Sequence, residues 1–341
     1  MDFNYLNYTE EFEKYGFPLN RLLLSLSLFE ETPVDQFKIN FDYLFSNDQD
    51  LAAQVVINAR EFGGVVRPKS ENKLYELVGY ALENSVSVID WKGKRKSGTK
   101  DQELTAEDVA AELLYEQRKK YQRTMNAQLA DCLIRGVQNN KYGSEQVVSM
   151  ATEFGSAAMT KNIDLNASAT LVDIELDTIQ TTIRKNLGQK VDYLKGFVAL
   201  CSPEYFRALK SNQSVRDTFK YSQGSGQYGI ENLIDYKNEY PSLQTFFYNN
   251  VTFIMVDDAD IGIGANKAVY FPVLMKGAGV FKWFCGPISK HQDLAASSSG
   301  APVHHYRIKE QKFADLYSIT EWSALAMNML PSCIVNSENK A

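Results

Sequence analysis

Apolar positions along this chain repeat in two distinct ways. Between Thr105 and about Gln138, Val109, Leu113, Leu114, Tyr121, Met125, Leu129, Cys132, Leu133 and Val137 recur at steps of three and four. That spacing predicts one helix of roughly 34 residues, on the order of 50 Å long. Thr105 is placed to cap it, and Asp108 sits in the positive first turn. A compact chain of this length has a radius of gyration of roughly 20 Å, so such a helix would span the whole body and implies a shape flatter than a sphere. Glu116, Arg118, Lys119, Lys120 and Arg123 crowd its middle, where Tyr121 alone is large and apolar. That section is expected to face solvent or a neighbour. A helix packed on its own sheet with a solvated back is the competing reading.

The other rhythm is strand-like. Phe62 to Asp90 is long and polar, with Gly63 and Gly64 at one end and Arg67-Pro68-Lys69-Ser70 as a turn, which predicts an extended hairpin. A lone hairpin is marginal in water unless something covers it. Residues 1–50 are rich in Phe, Tyr and Leu, with Pro18, Pro33, a helical piece around Leu19 to Phe29 and a strand at Phe37 to Phe41. They read as an arm that must lie on something. Later come a strand pattern at Ala167 to Leu176, a helical or coiled stretch to Gly188, and a short buried strand, Phe197 to Leu200. Ser202 as N-cap, Pro203 at the first helical position and Glu204 behind it open a helix to about Lys210. A second helix is expected over Ser214 to Tyr221, then a glycine-rich loop and a strand, Val251 to Val256. These make an α/β unit of roughly 90 residues. Beyond Lys276 strands return at Gly279 to Cys285 and Phe313 to Met329, with a loop at Ala295 to His305 between them.

Composition narrows the class. The 341 residues are 44% hydrophobic and 23% charged, enough for one large or two modest cores. The longest apolar runs, Val251 to Val256 and Leu22 to Leu28, are too short to cross a bilayer, so no membrane partner is expected. The first residues are acidic where a secretory signal would be basic, and export is not expected. A formal net charge of −6 argues against a dedicated nucleic-acid binder. Cys132, Cys201, Cys285 and Cys333 are scattered, without a CxxC pair, and read as reduced, buried thiols.

Candidate chemistry is sparse. Gly224-Ser225-Gly226-Gln227-Tyr228-Gly229 fits GxGxxG, but a helix-like stretch precedes it, whereas a dinucleotide site needs a strand before the glycines and a helix after them. Asp257-Asp258-Ala259-Asp260 with Gly262 and Gly264 is similar to a calcium loop. Its glycine falls one place early and no closing Glu follows, so a turn after a strand is expected. His304 and His305 are adjacent and point to opposite sides of an extended chain, and His291 stands alone. No metal, cofactor or catalytic constellation is expected. The basic loop of Lys92, Lys94, Arg95, Lys96 and Lys100 reads as a solvated connection, with contact to nucleic acid or an acidic neighbour as the other readings.

The order of segments does resemble a known family. NRLLLSLSLFEETPVDQFKI, the hairpin, the long helix, VDYLKGFVALCSPEYFRALKSNQSVRDTF, NNVTFIMVDD and LYSITEWSALAMNMLPSCIV together resemble the lambda-type major capsid proteins of tailed bacteriophages, over nearly the whole chain. The resemblance implies the α+β Hong Kong ninety-seven capsid fold: an N-terminal arm over 1–53, an extended loop over 54–92, a peripheral domain over 93–186 with a spine helix at 105–138, an axial domain over 187–275, and strands in 276–341 returning to the peripheral domain. It also implies hexamers and pentamers that tile an icosahedral shell around double-stranded DNA, in a virion assembled in the bacterial host cytoplasm. The partners it implies are a scaffolding protein, a portal and, in some members, a decoration protein. No long N-terminal extension is seen that would act as a fused scaffold, so a separate one is expected.

On that reading the candidates for contact between copies are Arg67, Lys69, Glu71, Lys73 and Glu76 in the loop, and Arg118, Lys119 and Arg123 on the helix. Some relatives crosslink a loop Lys to a neighbour's Asn. Lys69 and Lys73 are in the loop, but no partner Asn or promoting acid can be assigned, and crosslinking is not expected. A protein compartment of the same fold, similar to encapsulins, is the alternative, and a nucleotide-binding enzyme using Gly224 to Gly229 is the remote one.

Overall fold

The computed structural model describes residues 5–7, 12, 22–45, 69–139, 146–221, 243–287, 290–291, 294–295 and 301–340. Along the chain the strands are β1 (Tyr5–Asn7), β2 (Glu30–Pro33), β3 (Lys38–Phe45), β4 (Lys69–Glu76), β5 (Val78–Val86), β6 (Val137–Asn139), β7 (Gln146–Ser149), β8 (Met159–Thr160), β9 (Leu194–Cys201), β10 (Thr245–Tyr248), β11 (Val251–Met255), β12 (Lys267–Leu274), β13 (Phe281–Gly286), β14 (His304–Lys309), β15 (Leu316–Asn328) and β16 (Val335–Glu338). The longer helices are α1 (Ala106–Ala130), α2 (Val172–Leu187), α3 (Pro203–Ser211) and α4 (Gln213–Tyr221).

Two six-stranded sheets organise the body. The first runs β1-β14-β15-β13-β2, with β5 also paired to β15, and α1 lies against it. The second runs β10-β11-β9-β12-β16-β8 and carries α2 and α3. Residues 197–201 of β9, 251–254 of β11 and 268–273 of β12 are buried without a break, so both faces of this sheet's centre are covered. A two-stranded ribbon, β3 with β4, and the short pair β6 with β7 stand apart from both sheets.

The N-cap predicted for α1 is present, and it is one half of a capping box. Thr105 Oγ1 accepts from the Asp108 amide at 3.1 Å, and Asp108 accepts from the Thr105 amide at 3.1 Å. The helix stops sooner than its spacing predicts. After Ala130 one π-helical stretch, Asp131–Arg135, leads to Gly136 at φ 64°, and Val137 and Gln138 belong to β6 instead. Together the two helical pieces span about 45 Å. The single apolar stripe is also only half of the packing. Leu114, Tyr121, Met125 and Leu129 are buried, and so are Gln117, Gln122, Thr124, Asn126 and Gln128. The helix is covered on two sides, and its amides bind backbone: Gln117 Nε2 donates to the Ser318 carbonyl at 2.9 Å, Gln128 Nε2 to the Ala324 carbonyl at 3.2 Å, and Asn126 Oδ1 accepts from the Leu23 amide at 3.0 Å.

Other expectations are corrected. Phe62 to Asp90 is not one hairpin: β4 pairs with the arm strand β3, while β5 pairs along its length with β15. Lys69 and Ser70 are inside β4 rather than in a turn, and Arg67 and Pro68 lie outside the described residues. The alternation of Val78 and Tyr80 buries β5 beneath the helix, which a free hairpin could not do. Val172, Leu176, Ile179, Ile183 and Leu187 follow a helical step, so the pattern read as a strand at Ala167 to Leu176 is a turn plus the start of α2. Asp164 Oδ1 makes that turn by accepting from the Asn166 and Ala167 amides. The loop expected to His305 ends in a strand, β14, and Phe313 sits in the turn before β15. Finally, β16 pairs with β12, so the C-terminal segment crosses to the second sheet instead of staying in the first.

Gly136 has open space where a side chain would stand, so only its left-handed backbone demands glycine. Gly136→Ala is expected to lower subunit stability by about 1 kcal/mol, and Gly136→Asn by less. Thermal melting of free subunits checks this, and an Ala variant with an unchanged midpoint contradicts it.

Candidate intersubunit surfaces

The ribbon is the first candidate surface. Its register sets Lys38 opposite Glu76, Phe41 opposite Lys73, Tyr43 opposite Glu71 and Phe45 opposite Lys69. Alternation turns Ile39 and Tyr75 inward and leaves Leu74 62% exposed. Tyr75 fastens the base, its hydroxyl donating to Glu153 Oε2 at 2.9 Å. Glu76 pairs with Lys38 at 2.7 Å, and this contact holds its carboxyl below the ordinary range. Both side chains are mostly exposed, so the pair adds little to stability. Among the described residues no third strand pairs with this ribbon.

The helix candidates divide. Lys119 is exposed. Arg123 is paired with Asp260 in the loop after β11 yet remains 61% exposed. That loop is the Asp-rich turn, where Asp258 Oδ1 accepts from the Asp260 amide at 2.9 Å. Arg118 contradicts the expectation of an outward-facing cation, being only 7% exposed. Its guanidinium carbon lies 4.9 Å from the Phe12 ring centroid and 5.3 Å from that of Tyr121. The charge is spent inside the chain on two aromatic faces.

Phe12 is the residue that sequence reasoning missed. It is wholly buried and stacks on His305 with centroids 5.2 Å apart and planes 13° from parallel. Tyr121 tilts against it at 5.8 Å, meets Trp322 edge-on at 5.0 Å, and Trp322 stacks on Tyr80 at 5.1 Å. This aromatic column joins the arm, α1, β5 and β15. His305 belongs to a buried polar network beneath it. Thr320 donates its one hydroxyl proton to Gln117 Oε1 at 2.8 Å, so its contact with His305 Nδ1, also 2.8 Å, requires Nδ1 to carry the proton. Nε2 is then the acceptor facing Ser318 Oγ at 3.4 Å. The signal was available in His304 to Lys309, whose alternation sends Tyr306 and Ile308 to one face and His305 to the other.

The GxGxxG segment lies outside the described residues, and α4 precedes it. Among the described residues no cluster of three or more His, Cys, Asp or Glu could hold a metal, and no helix is long and apolar enough to cross a membrane. All four cysteines are free and buried, and burial raises each thiol's pKa well above the ordinary value.

Comparison with known proteins adds four findings. The model of a family described as phage major capsid protein E matches residues 10–337. The major capsid protein of Pseudomonas phage KPP10 is 23% identical over 270 residues, 76% of each chain. Among solved structures, a prophage protein of E. coli CFT073 superposes with a TM-score of 0.57 at 13% identity, covering 98% of this chain and 99% of that one. The capsid of Myoviridae phage XM1 gives 0.53 at 10% identity, covering 94% and 92%. The fold is the Hong Kong ninety-seven capsid fold, as the order of segments implied.

The buried histidine makes stability depend on pH. Burial and then Arg307 lower the pKa of His305 from 6.5 to about 4. The unfolded chain therefore takes up a proton that the native site refuses, and stability falls as pH drops from about 6.5 to about 4, by on the order of 3 kcal/mol in full. His304, lowered by burial, acts in the same direction. Glu321, raised by burial, acts oppositely: its contribution is present in acid and fades as pH rises through its folded pKa. Urea unfolding at pH 7 and pH 5 is expected to show a large loss for the native chain and a smaller one for His305→Gln. An equal loss in both would mean that His305 is not the titrating group.

Proposed function

The chain belongs to the phage major capsid protein E family, and from that premise we propose that it builds an icosahedral head, gathering as hexamers and pentamers around double-stranded DNA. The ribbon carries this reading. A pair of eight-residue strands with no third partner among the described residues, and with an outward Leu74, is poorly supported by its own subunit. A neighbouring copy laid against it would supply the missing cover.

The first sheet with α1 serves as the peripheral domain and α1 as its spine. The second sheet with α2 and α3 serves as the axial domain, and the arm and ribbon reach to adjacent copies. Lys69, Glu71, Lys73, Lys119 and the exposed part of Arg123 are the charged contacts, whereas Arg118 works within the subunit. A separate scaffolding protein and a portal direct assembly in the host cytoplasm, and the finished shell has room for a decoration protein. The acidic balance, −6 overall, suits weak and non-specific contact with DNA that must later leave. Many modest contacts closing one shell allow errors to dissociate while the finished particle holds. The family is structural, and this role needs no catalytic group.

Negative-stain images of the purified chain, with and without its scaffold, test the proposal. Closed shells are expected, and their nucleic-acid content separates a viral head from an empty or protein-filled compartment. A persistent monomer in both conditions contradicts it. Shortening the chain between Gly64 and Lys73, short of the buried Tyr75, is expected to leave a folded subunit that makes no regular shells; ordinary closed particles from that variant would show that the ribbon is not a required contact. Lys69→Glu with Lys73→Glu is expected to slow assembly most at low salt, read by light scattering over a salt series. A rate that does not respond to salt would take those lysines out of the interface.

A further inference from the structure

The edges of the two sheets are of two kinds. β1 has three residues, β8 two and β10 four, while β2 has four and carries Glu30, Glu31 and Pro33. Short, charged or proline-bearing edges are guarded against pairing with other strands. β5 has no such guard. Its nine residues pair one for one with β15, without a bulge, and include no Pro, Lys or Arg. Among the described residues nothing pairs with its other edge, which is about 30 Å long.

β4 runs into β5 with Leu77 alone between them. At Ser323, Gly286 of β13 and Gly79 of β5 lie on opposite sides of β15, and the Leu77 side chain reaches back over the space that Gly286 leaves. β3 arrives from that same side: the Val34 amide donates to the Cys285 carbonyl of β13 at 2.7 Å, and Phe37 then accepts from the Leu77 amide at 2.9 Å. The joint therefore leans inward, and one unpaired edge continues from β4 into β5. Along it Leu74 is 62% exposed and Leu82 half-buried, whereas Tyr75, Val78, Tyr80 and Val86 are buried.

We propose that two copies pair along this edge about a two-fold axis at Val78, β4 of each lying antiparallel to β5 of the other. The inference rests on the reading that copies surround one another in a shell, and it names the surface on which the ribbon lands. Antiparallel pairing centred on Val78 matches 70–76 with 80–86, nearly the whole of both strands, and sets Leu74 opposite Leu82 on one face. A slip of one residue would send the two leucines to opposite faces. A second copy is the fitting occupant because the complementary strand is this edge itself, and the register is the same read from either side. Glu83 already shares a hollow with Lys309 and Lys312, so backbone and leucines select the register rather than charge. An icosahedral shell contains two-fold axes, where a self-complementary contact belongs.

A chain carrying both Leu74→Cys and Leu82→Cys is assembled and then oxidised. The native thiols are buried and stay out of the reaction. A two-fold contact joins the same two copies twice, so a covalent dimer is expected as the largest product, formed in shells and absent from dilute subunits. A ladder of longer oligomers overturns the inference, and so do shells whose new cysteines react with a maleimide yet give no dimer; both outcomes leave the shell reading intact. Hydrogen exchange of the wild-type chain gives a second measurement that depends on no variant. The amides of 80–86 that face away from β15 are expected to exchange in free subunits and to lose that exchange in shells. Equal exchange in the two states overturns the inference, and failure of the wild-type chain to form particles under any condition overturns both readings.

Discussion

Polar groups taken out of water must find partners, and the long helix meets that demand in the middle of this subunit. Gln117, Asn126 and Gln128 are almost fully buried on α1 and would each be costly if left unbonded. Gln117 ties the helix to β15 and, through Asn84 at 2.8 Å, to β5; Gln128 ties it to β15 again; Asn126 holds the arm at Leu23. The helix is therefore a hydrogen-bonded wedge between sheet and arm. A purely apolar stripe would allow sliding, whereas amides bonded to particular carbonyls fix one register.

Much of this architecture was legible in the chain, and the misses share a cause. The N-cap at Thr105, the Ser202-Pro203 helix start and the buried strand before it are local signals, and local chemistry decides them. Strand partners are not local. Nothing in residues 62–90 says that β4 will pair with an arm strand thirty residues earlier, or that β5 will pair with one far downstream. Arg118 failed for a related reason: a charge run reads as solvated until a remote Phe12 covers one of its members. The candidate surfaces were half visible in the same way. Lys69, Glu71, Lys73 and Glu76 do lie on one ribbon, but the socket of Phe12 needs three distant segments to exist.

The division of labour between the two sheets follows from burial. The second sheet is covered on both faces at its centre. The first sheet has one face under α1 and an outer face that is only partly packed, and the ribbon has less support still. Completeness thus declines from the second sheet outward, which suits a subunit whose rigid part keeps its shape while its incomplete edges find neighbours.

The sulfur atoms complete this picture. Cys132, Cys201, Cys285 and Cys333 all lie in the core, and their thiols resist ionisation. Oxidants attack the thiolate, so a particle built from this chain presents none of these four thiols in reactive form. Passing from a reducing cell to an oxidising world would leave these thiols as they are, and its durability there would owe nothing to disulfides.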